Sequence, residues 1–499
     1  MKSEKKINPV NAFKISALLG FFSVIVMTTQ CKKSFSGDSF SPSLPAVIKS
    51  ISANGGGALY CSISGGCAIT LTGDNFSLTS VPYVGPYKCL NVVISADLKQ
   101  IDCKVGPASN GVYKLEVRNS DSQASILDPS LASTANDFMY ASFLYLGSQE
   151  SPGKVYGYAQ HPITGALVSI VGSPFSVAAN NSTYGVAIAP NNKFIYAANV
   201  TSGTVSIYSI SPVTGTLVAV GTPVNSGGGN PNGLFFHPSG NFLYVTNQTG
   251  NSVSGFSVAA DGTLTALTGS PFATTGASNI NGLVVSSDGK FLYAAGMGGN
   301  GGVTGFTIDS STGVLSIIAG SPFINTIGGG TTAPGDGISI HPNSKWLYMG
   351  LTGLKKTSVW SINQSTGVLT AVEAPLLNNA TTGYVDNGGS ASTVSADGLF
   401  LYGTAFSTTA TDPKKIIVYA IDQSTGGLTR SSEATTGGGP NDIRLDTTGN
   451  FAYTCNSMNP ASISAFSVNK TTGVLTALSP ANYAIPTVSG GPGIMVMQK

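Results

Sequence analysis

Seven tyrosines in the last 360 or so residues of the chain close nearly the same phrase, an apolar run followed by small or polar residues. They are Tyr145 (FLYLG), Tyr196 (FIYAAN), Tyr244 (FLYVTN), Tyr293 (FLYAAG), Tyr348 (WLYMG), Tyr402 (FLYGT) and Tyr453 (FAYTCN), spaced by 51, 48, 49, 55, 54 and 51 residues. A repeat of this size cannot bury its apolar face alone, so a chain carrying seven copies must stack them or close them into a ring. Within residues 233–272 the unit contains four strand-like pieces, GLFFHP, NFLYVTN, SVSGFSV and TLTALTGSPF. Four short strands in about 50 residues describe one propeller blade.

The chain ends indicate how such a ring closes. The first piece of the unit recurs as YGVAIAP, GLVVSSDG, GISIHP, STVSADG, DIRLDTTG and GIMVM, which makes seven copies against seven tyrosine strands. The first tyrosine strand (142–147) has no such piece before it, and the last such piece (493–497) has no tyrosine strand after it. Both termini of the ring therefore belong to one blade, and pairing them removes an open edge.

Composition limits the partners. Charged residues are 9% of the chain, against about 25% in ordinary soluble domains. Glycine contributes 63 of 499 residues, which supplies turns with positive φ. The formal charge of +2 becomes −1 without residues 1–30, because Lys2, Lys5, Lys6 and Lys14 leave with Glu4. With no basic face, nucleic acid is excluded as a partner class.

Residues 2–14 carry the lysines, Ile15–Met27 is a 13-residue apolar core, and Thr28, Thr29, Gln30 and Cys31 follow. That order describes an export signal over residues 1–30, with an apolar stretch short for a membrane span. Cys31 resembles the lipidation site of bacterial lipoproteins, although Gln30 stands where that family places Gly, Ala or Ser. The resemblance implies a lipid anchor on the outer membrane or cell surface of a bacterium. Ordinary cleavage nearby and an uncleaved anchor remain the alternatives. Residues 31–43 read as a flexible tether.

Residues 44–135 carry short alternating strands, AVIKSISA, CAITLTGDNF, CLNVVISAD, QIDCKV and GVYKLEVRNSD, the pattern of a small β-sandwich. These phrases resemble the IPT/TIG family of immunoglobulin-like domains, which implies a spacer or interaction module. Four cysteines lie here, Cys61, Cys67, Cys89 and Cys103. Cys89 and Cys103 are symmetric about Ala96 in a hairpin turning at 95–97, a register that suits a cross-strand bridge and leaves Cys61 for Cys67. With no CxxC pair or histidine cluster beside them, disulfides of an exported protein are favoured over zinc.

FLYVTN, the TG dipeptide before an apolar strand (TGALVSI, TGTLVAV, TGVLSII, TGVLTAV, TGGLTRS, TGVLTAL) and the thrice-repeated GSPF together resemble the YVTN and lactonase-like seven-bladed propellers. The layout of signal, immunoglobulin-like module and ring is similar to that of a leptospiral surface lipoprotein antigen. The expected fold is all-β: a sandwich over 44–135, then a seven-bladed propeller over 137–499 closed by its C-terminal strand.

Chemistry is harder to find. The lactonase resemblance implies Arg, His and Glu in the central channel, where a guanidinium holds an anion and His or Glu moves protons. The positions expected just before each inner strand carry Asn230–Asn232, Asn279–Asn281, Pro334–Asp336, Gly439–Asp442 and Gly491–Gly493, with no Arg or His among them. Arg444 is the one plausible channel cation, two residues after Asp442 and so on the same sheet face; an ion pair is the plain reading. His161, His237 and His341 fall at turn positions.

Catalytic candidates reduce to Asp336, Asp442 and Arg444. Asn232, Asn281, Asp336, Asn441 and Asp442 could offer oxygen to Ca²⁺ or Mg²⁺, or make side-chain turns instead. No cofactor is required by either reading. The expectation is an exported, lipid-anchored, monomeric binding or scaffold protein for an envelope or extracellular protein or glycan. The alternative is a degenerate lactonase-like hydrolase, metal-assisted or not, working in the channel.

Overall fold

The computed structural model describes residues 44–53, 59–62, 65–119, 124–132, 137–177, 182–299, 302–324, 335–351, 356–372, 391–405, 414–458, 460–486 and 491–498, without the side chains at 297–299, 335–336 and 356. The export signal, Cys31 and the tether lie outside the described residues.

The sandwich follows from period-two burial. Along Ala68–Asp74 the residues Ile69, Leu71 and Gly73 are buried and those between are not, the alternation of a strand with one face on a core. This strand sits centrally in a sheet ordered Leu90–Ile94, Gln100–Lys104, Ala68–Asp74, Val47–Ala53, Ile126–Leu127. Ile48, Ile69, Leu71 and Ile101 pack against Val84, Leu115 and Val117 of the facing sheet.

One strand joins the two halves of the molecule. Asp137–Ser148 pairs through Asp137–Tyr140 with Lys114–Gly111 of the sandwich, and through Ser142–Ser148 with Gln160–Lys154 of the first blade. The first tyrosine strand thus begins five residues before Ser142, inside the sandwich's own sheet. A second contact braces this joint. Cys61 and Cys67 form a disulfide with Cα atoms 6.0 Å apart, and beside it Ser62 N–H donates to Val213 O at 2.8 Å in the second blade. Tyr60 packs edge-on against Phe143 of the ring at 6.2 Å between ring centres.

The second expected bridge is not formed: Cys89 and Cys103 are free, buried thiols. The hairpin pairs Ile94 with Ile101 and Leu90 with Lys104, with a register shift between them, and Asn91 has φ 52°. The turn therefore runs from Ser95 to Gln100, where Ser95 N–H meets Gln100 O at 2.9 Å. Centring it beyond Ala96 puts the two cysteines diagonal to each other. Their thiols hydrogen-bond instead, which raises the Cys103 pKa, with burial adding to it.

The ring has seven blades. The inner strands Thr183–Ile188, Pro231–Phe236, Ala277–Val285, Gly335–Ile340, Ser392–Val394 and Pro440–Leu445 each pair with the tyrosine strand that follows. The seventh, Pro492–Met497, pairs antiparallel with the first tyrosine strand, Val496 opposite Tyr145 and Met495 opposite Leu146. The N- and C-terminal ends of the ring thus share a blade, as the unmatched strands at the two ends require.

The tyrosines and the TG dipeptides prove to be two halves of one joint between blades. The hydroxyl of Tyr145 donates to Gly215 O at 2.5 Å, Tyr196 to Gly262 O at 2.7 Å, Tyr244 to Gly313 O at 2.8 Å and Tyr293 to Gly367 O at 2.8 Å. Tyr348 reaches Gly426 O at 3.2 Å, and Tyr453 closes the circle on Gly165 O at 2.6 Å. Each acceptor is the TG glycine of the next blade, or Gly262 of the Asp261–Gly262 pair that stands in its place. Tyr402 is buried in the same register with its hydroxyl unbonded.

The aromatic residue two places before each tyrosine covers the same glycine. These glycines have φ between 70° and 87°, and a methyl group on any of them would lie under 3.0 Å from that ring. Only glycine adopts this φ without strain and admits the ring so closely. Burial also pushes the hydroxyls of Tyr196, Tyr244 and Tyr293 well above the ordinary phenol range, so they stay protonated donors. Each buried bond contributes about 1 kcal/mol net.

Candidate functional site in the central channel

The inner strands surround a cavity of about 620 Å³. Its wall is mostly aliphatic and aromatic, with Ile188, Phe235, Ile340, Val394 and Val496 half-buried against the open space. Tyr184, Asn232, Asn281 and Asn441 line it where the inner strands begin, and Pro190, His237 and His341 where they end. Asn232 and Asn441 are the second residues of their strands and Asn281 the fifth of its own, so all three lie within strands and not ahead of them as expected.

The ring is tight at this level. A side chain on Gly185 would collide with Asn232 O, and one on Gly233 with Asn281 O, both carbonyls belonging to the next blade. Each of these glycines, like Gly282 and Gly337, stands two residues before the one opposite its blade's tyrosine. In the seventh blade that place is held by Asp442, since Arg444 is opposite Tyr453. The closing strand carries its own glycine, Gly493, three residues before Val496, where an added side chain would collide with Tyr184 O of the second blade.

Asp442 and Arg444 grip this closing strand. Asp442 Oδ2 accepts the Met495 N–H at 2.8 Å, and Arg444 Nε donates to Met495 O at 3.0 Å. The two side chains also pair with each other, Nη2 to Oδ1 at 3.3 Å, Asp442 being 2% exposed and Arg444 34%. Neighbouring groups hold the same strand: Asn441 Nδ2 donates to Pro492 O at 3.2 Å, and the Cys455 thiol donates to Gly493 O at 2.8 Å. Burial keeps that thiol well above its usual pKa.

Burial pushes the Asp442 carboxyl above the ordinary aspartate range, and the Arg444 guanidinium and the Met495 N–H offset this only in part. The folded protein therefore holds this proton more tightly than the unfolded chain. The stability this proton confers is full below an unfolded pKa near 4 and is lost as pH rises through the raised value. The melting-temperature difference, native minus Asp442→Asn, should accordingly fall as pH rises through that window and then level off. Scanning calorimetry from pH 3.5 upward checks it, and a difference that grows with pH contradicts it.

The remaining candidates have structural partners. His237 Nε2 meets Gly289 O of the next blade at 3.1 Å, and His341 Nε2 meets Gly398 O at 3.0 Å. His161 Nδ1 accepts the Ile163 and Thr164 N–H groups at 3.2 Å, the task that Asp309 and Asp422 perform in other blades. The amides of Asn199, Asn247 and Asn456 donate to serines or threonines of the adjoining strand. Arg118 pairs with Glu116, and Arg430 with Glu433.

As for oxygen ligands, both carboxylate oxygens of Asp442 and the amide of Asn441 are engaged at the closing seam. Among the described residues no group of three or more His, Cys, Asp or Glu converges. The side chain of Asp336 lies outside the described residues. Sequence alone did not connect Asp442 and Arg444 to Met495. The available signal was Asp442 in a column of the repeat otherwise held by the small residues Gly185, Gly233, Gly282, Gly337 and Ala391.

A model of the lactonase family, described as a 7-bladed β-propeller, matches residues 141–278 and 330–488, more than half of the chain. The chain belongs to this family. An IPT/TIG domain model matches residues 46–133 ahead of this lactonase-family ring. Similar solved structures include a proposed 6-phosphogluconolactonase of Bacteroides uniformis, 18% identical, with TM-score 0.60, covering 72% of this chain and 99% of that one. Another is from Bacteroides fragilis, also a proposed 6-phosphogluconolactonase, at 18% identity and TM-score 0.60, with 74% and 100% covered. The periplasmic gluconolactonase of Pseudomonas aeruginosa gives 18% identity and TM-score 0.59, with 72% and 99% covered. At these identities the likeness is one of fold. No curated protein matches the chain, and nothing in these matches supports the leptospiral antigen layout.

Proposed function

We propose that this lactonase-family propeller is a non-catalytic binding or scaffold module, exported and held at a bacterial surface by a lipid on Cys31. Its partner would be an envelope or extracellular protein or glycan, bound by a monomer. One observation carries the reading: Asp442 and Arg444 are the charged residues among the described channel lining, and both hold the closing strand. A hydrolase of sugar-acid lactones needs a cation for the substrate's anion and a group to move a proton. Here the cation is paired and the carboxylate is buried beneath the seam.

The second reading, a degenerate lactonase, is favoured by family membership and by the open channel. Hydrolysis of 6-phosphogluconolactone and a panel of neutral lactones, followed in a pH-stat, distinguishes them. The expected rate is that of buffer. A rate above buffer that disappears in Arg444→Ala overturns the binding reading.

A further inference from the structure

The residue that opens each outer hairpin has one task and, in the first blade, a different chemistry. Four residues before the joint glycine stand His161, Ser211, Asp309, Asn363, Asp422 and Asn469, in six of the seven blades. Each accepts the N–H groups two and three residues further on. Ser211 Oγ takes those of Val213 and Thr214, Asn363 Oδ1 those of Ser365 and Thr366, and Asn469 Oδ1 those of Thr471 and Thr472. The Ser311 and Ser424 hydroxyls, together with the same kind of N–H pair, hold the exposed Asp309 and Asp422 carboxyls at a pKa of about 2. None of these five acceptors titrates near neutral pH.

An imidazole does. His161 Nδ1 accepts the Ile163 and Thr164 N–H groups at 3.2 Å, so the proton of the neutral ring sits on Nε2. A second proton, on Nδ1, would leave no lone pair for either N–H.

This hairpin lies at the seam where the ring closes. Gly165 O accepts the Tyr453 hydroxyl of the seventh blade at 2.6 Å, and Phe451 and Leu478 of that blade lie against Gly165. His161 O accepts the Gly165 N–H at 2.9 Å, and His161 N–H donates to Ala166 O at 2.7 Å. The turn that Nδ1 holds therefore places the carbonyl that Tyr453 meets. Of the neighbouring charges, Asp137 acts on the imidazole and is itself paired with Lys114 Nζ at 2.6 Å. On the seventh-blade side Asp446 is engaged by the Thr448 hydroxyl and the Phe451 N–H.

We infer that His161 is an acid-sensitive latch on the closing seam: protonation of Nδ1 undoes the first-blade hairpin and loosens its joint with the seventh blade. The inference is independent of what the channel binds or cleaves. Burial lowers the His161 pKa, and Asp137 offsets this only in part. The stability conferred by the neutral ring is thus full above an unfolded value near 6.5 and is lost as pH falls from there through the lowered folded value.

Hydrogen exchange of the full chain at pH 7.5 and 5.5, corrected for intrinsic rates and compared with His161→Asn, tests it. The variant keeps an acceptor of the kind that Asn363 and Asn469 supply. Protection over residues 161–167 should drop by up to about tenfold at pH 5.5 in the native protein and hold in the variant. The melting-temperature difference, native minus His161→Asn, should fall by about 2 °C over the same interval. His237 and His341 also accept N–H groups, in inner turns, and their contribution cancels in that difference. His161→Asp, patterned on Asp309 and Asp422, repeats the comparison if the amide destabilises the hairpin.

Native protection unchanged by acid, or lost equally in native protein and variants, overturns the inference. So does a loss at residues 161–167 with a level melting-temperature difference, which would confine the effect to the turn and leave the seam out of it.

Discussion

Removing the residues after Pro492 should abolish the cooperative melting transition of the ring or lower it by roughly 10 °C or more. The deleted segment carries Met495, fully buried, and Met497, 8% exposed, and burying such side chains stabilises by about 1.5–3 kcal/mol each. Its loss also strips the ladder from Leu144, Tyr145 and Leu146, opening an edge in the one blade that joins both chain ends. Asp442 would keep its burial on the blade-seven side while losing the Met495 N–H that satisfies Oδ2, at a further cost of about 1–3 kcal/mol. These effects add up to a large part of the stability of a typical domain. Circular dichroism at increasing temperature on full-length and truncated chains measures it. An unchanged melting temperature would mean that the ring does not depend on this strand.

The second large effect is expected at the joints between blades. Gly313→Ala places a methyl 2.5 Å from Phe242 Cδ1 at a residue with φ 72°, and the same glycine's carbonyl accepts the Tyr244 hydroxyl at 2.8 Å. The left-handed conformation costs alanine about 1–2 kcal/mol, and forcing a methyl into a packed joint costs about 1–3 kcal/mol more. The total, about 3 kcal/mol, should appear as a clear drop in the denaturant midpoint. Gly221→Ala is the matched control, because its φ is 62° and nothing lies within 4 Å of the added carbon. It should show the backbone cost alone. Equal losses at both positions would show that the aromatic cover of the joint contributes nothing.

What could be read from the chain in advance was whatever depends on local order. Period and strand count follow from a phrase repeated about every 50 residues, and the closure follows from which strand lacks a partner at each end. The joint itself was hidden, because Tyr145 meets Gly215 across 70 residues and Tyr453 meets Gly165 across 288. Both motifs were visible, but no local rule connects a tyrosine to the hairpin of the following blade. The hairpin joining Cys89 and Cys103 was misjudged for a smaller reason. A left-handed Asn91 and a turn extending to Gln100 displace the register, and a shift of one residue is enough to separate a cysteine pair.

At the channel, Asp442 and Arg444 were recognisable as an ion pair from their spacing of two along a strand. Their larger task was not, since Met495 stands 53 residues beyond Asp442. An inner-strand column reading Gly185, Gly233, Gly282, Gly337, Ala391 and then Asp442 already marks the seventh seam as different. The physical reason is that Asp442 there accepts the Met495 N–H of the closing strand.

The measurement that bears most directly on the account is a paired one on Arg444→Ala, the rate of lactone hydrolysis and the melting temperature on the same preparation. If the guanidinium serves the seam, hydrolysis stays at the buffer rate in both proteins. Stability then falls by about 2 kcal/mol, less than for a fully buried pair because the side chain is one-third exposed. A native protein that cleaves lactones, and a variant that melts at the native temperature but no longer cleaves them, would contradict it.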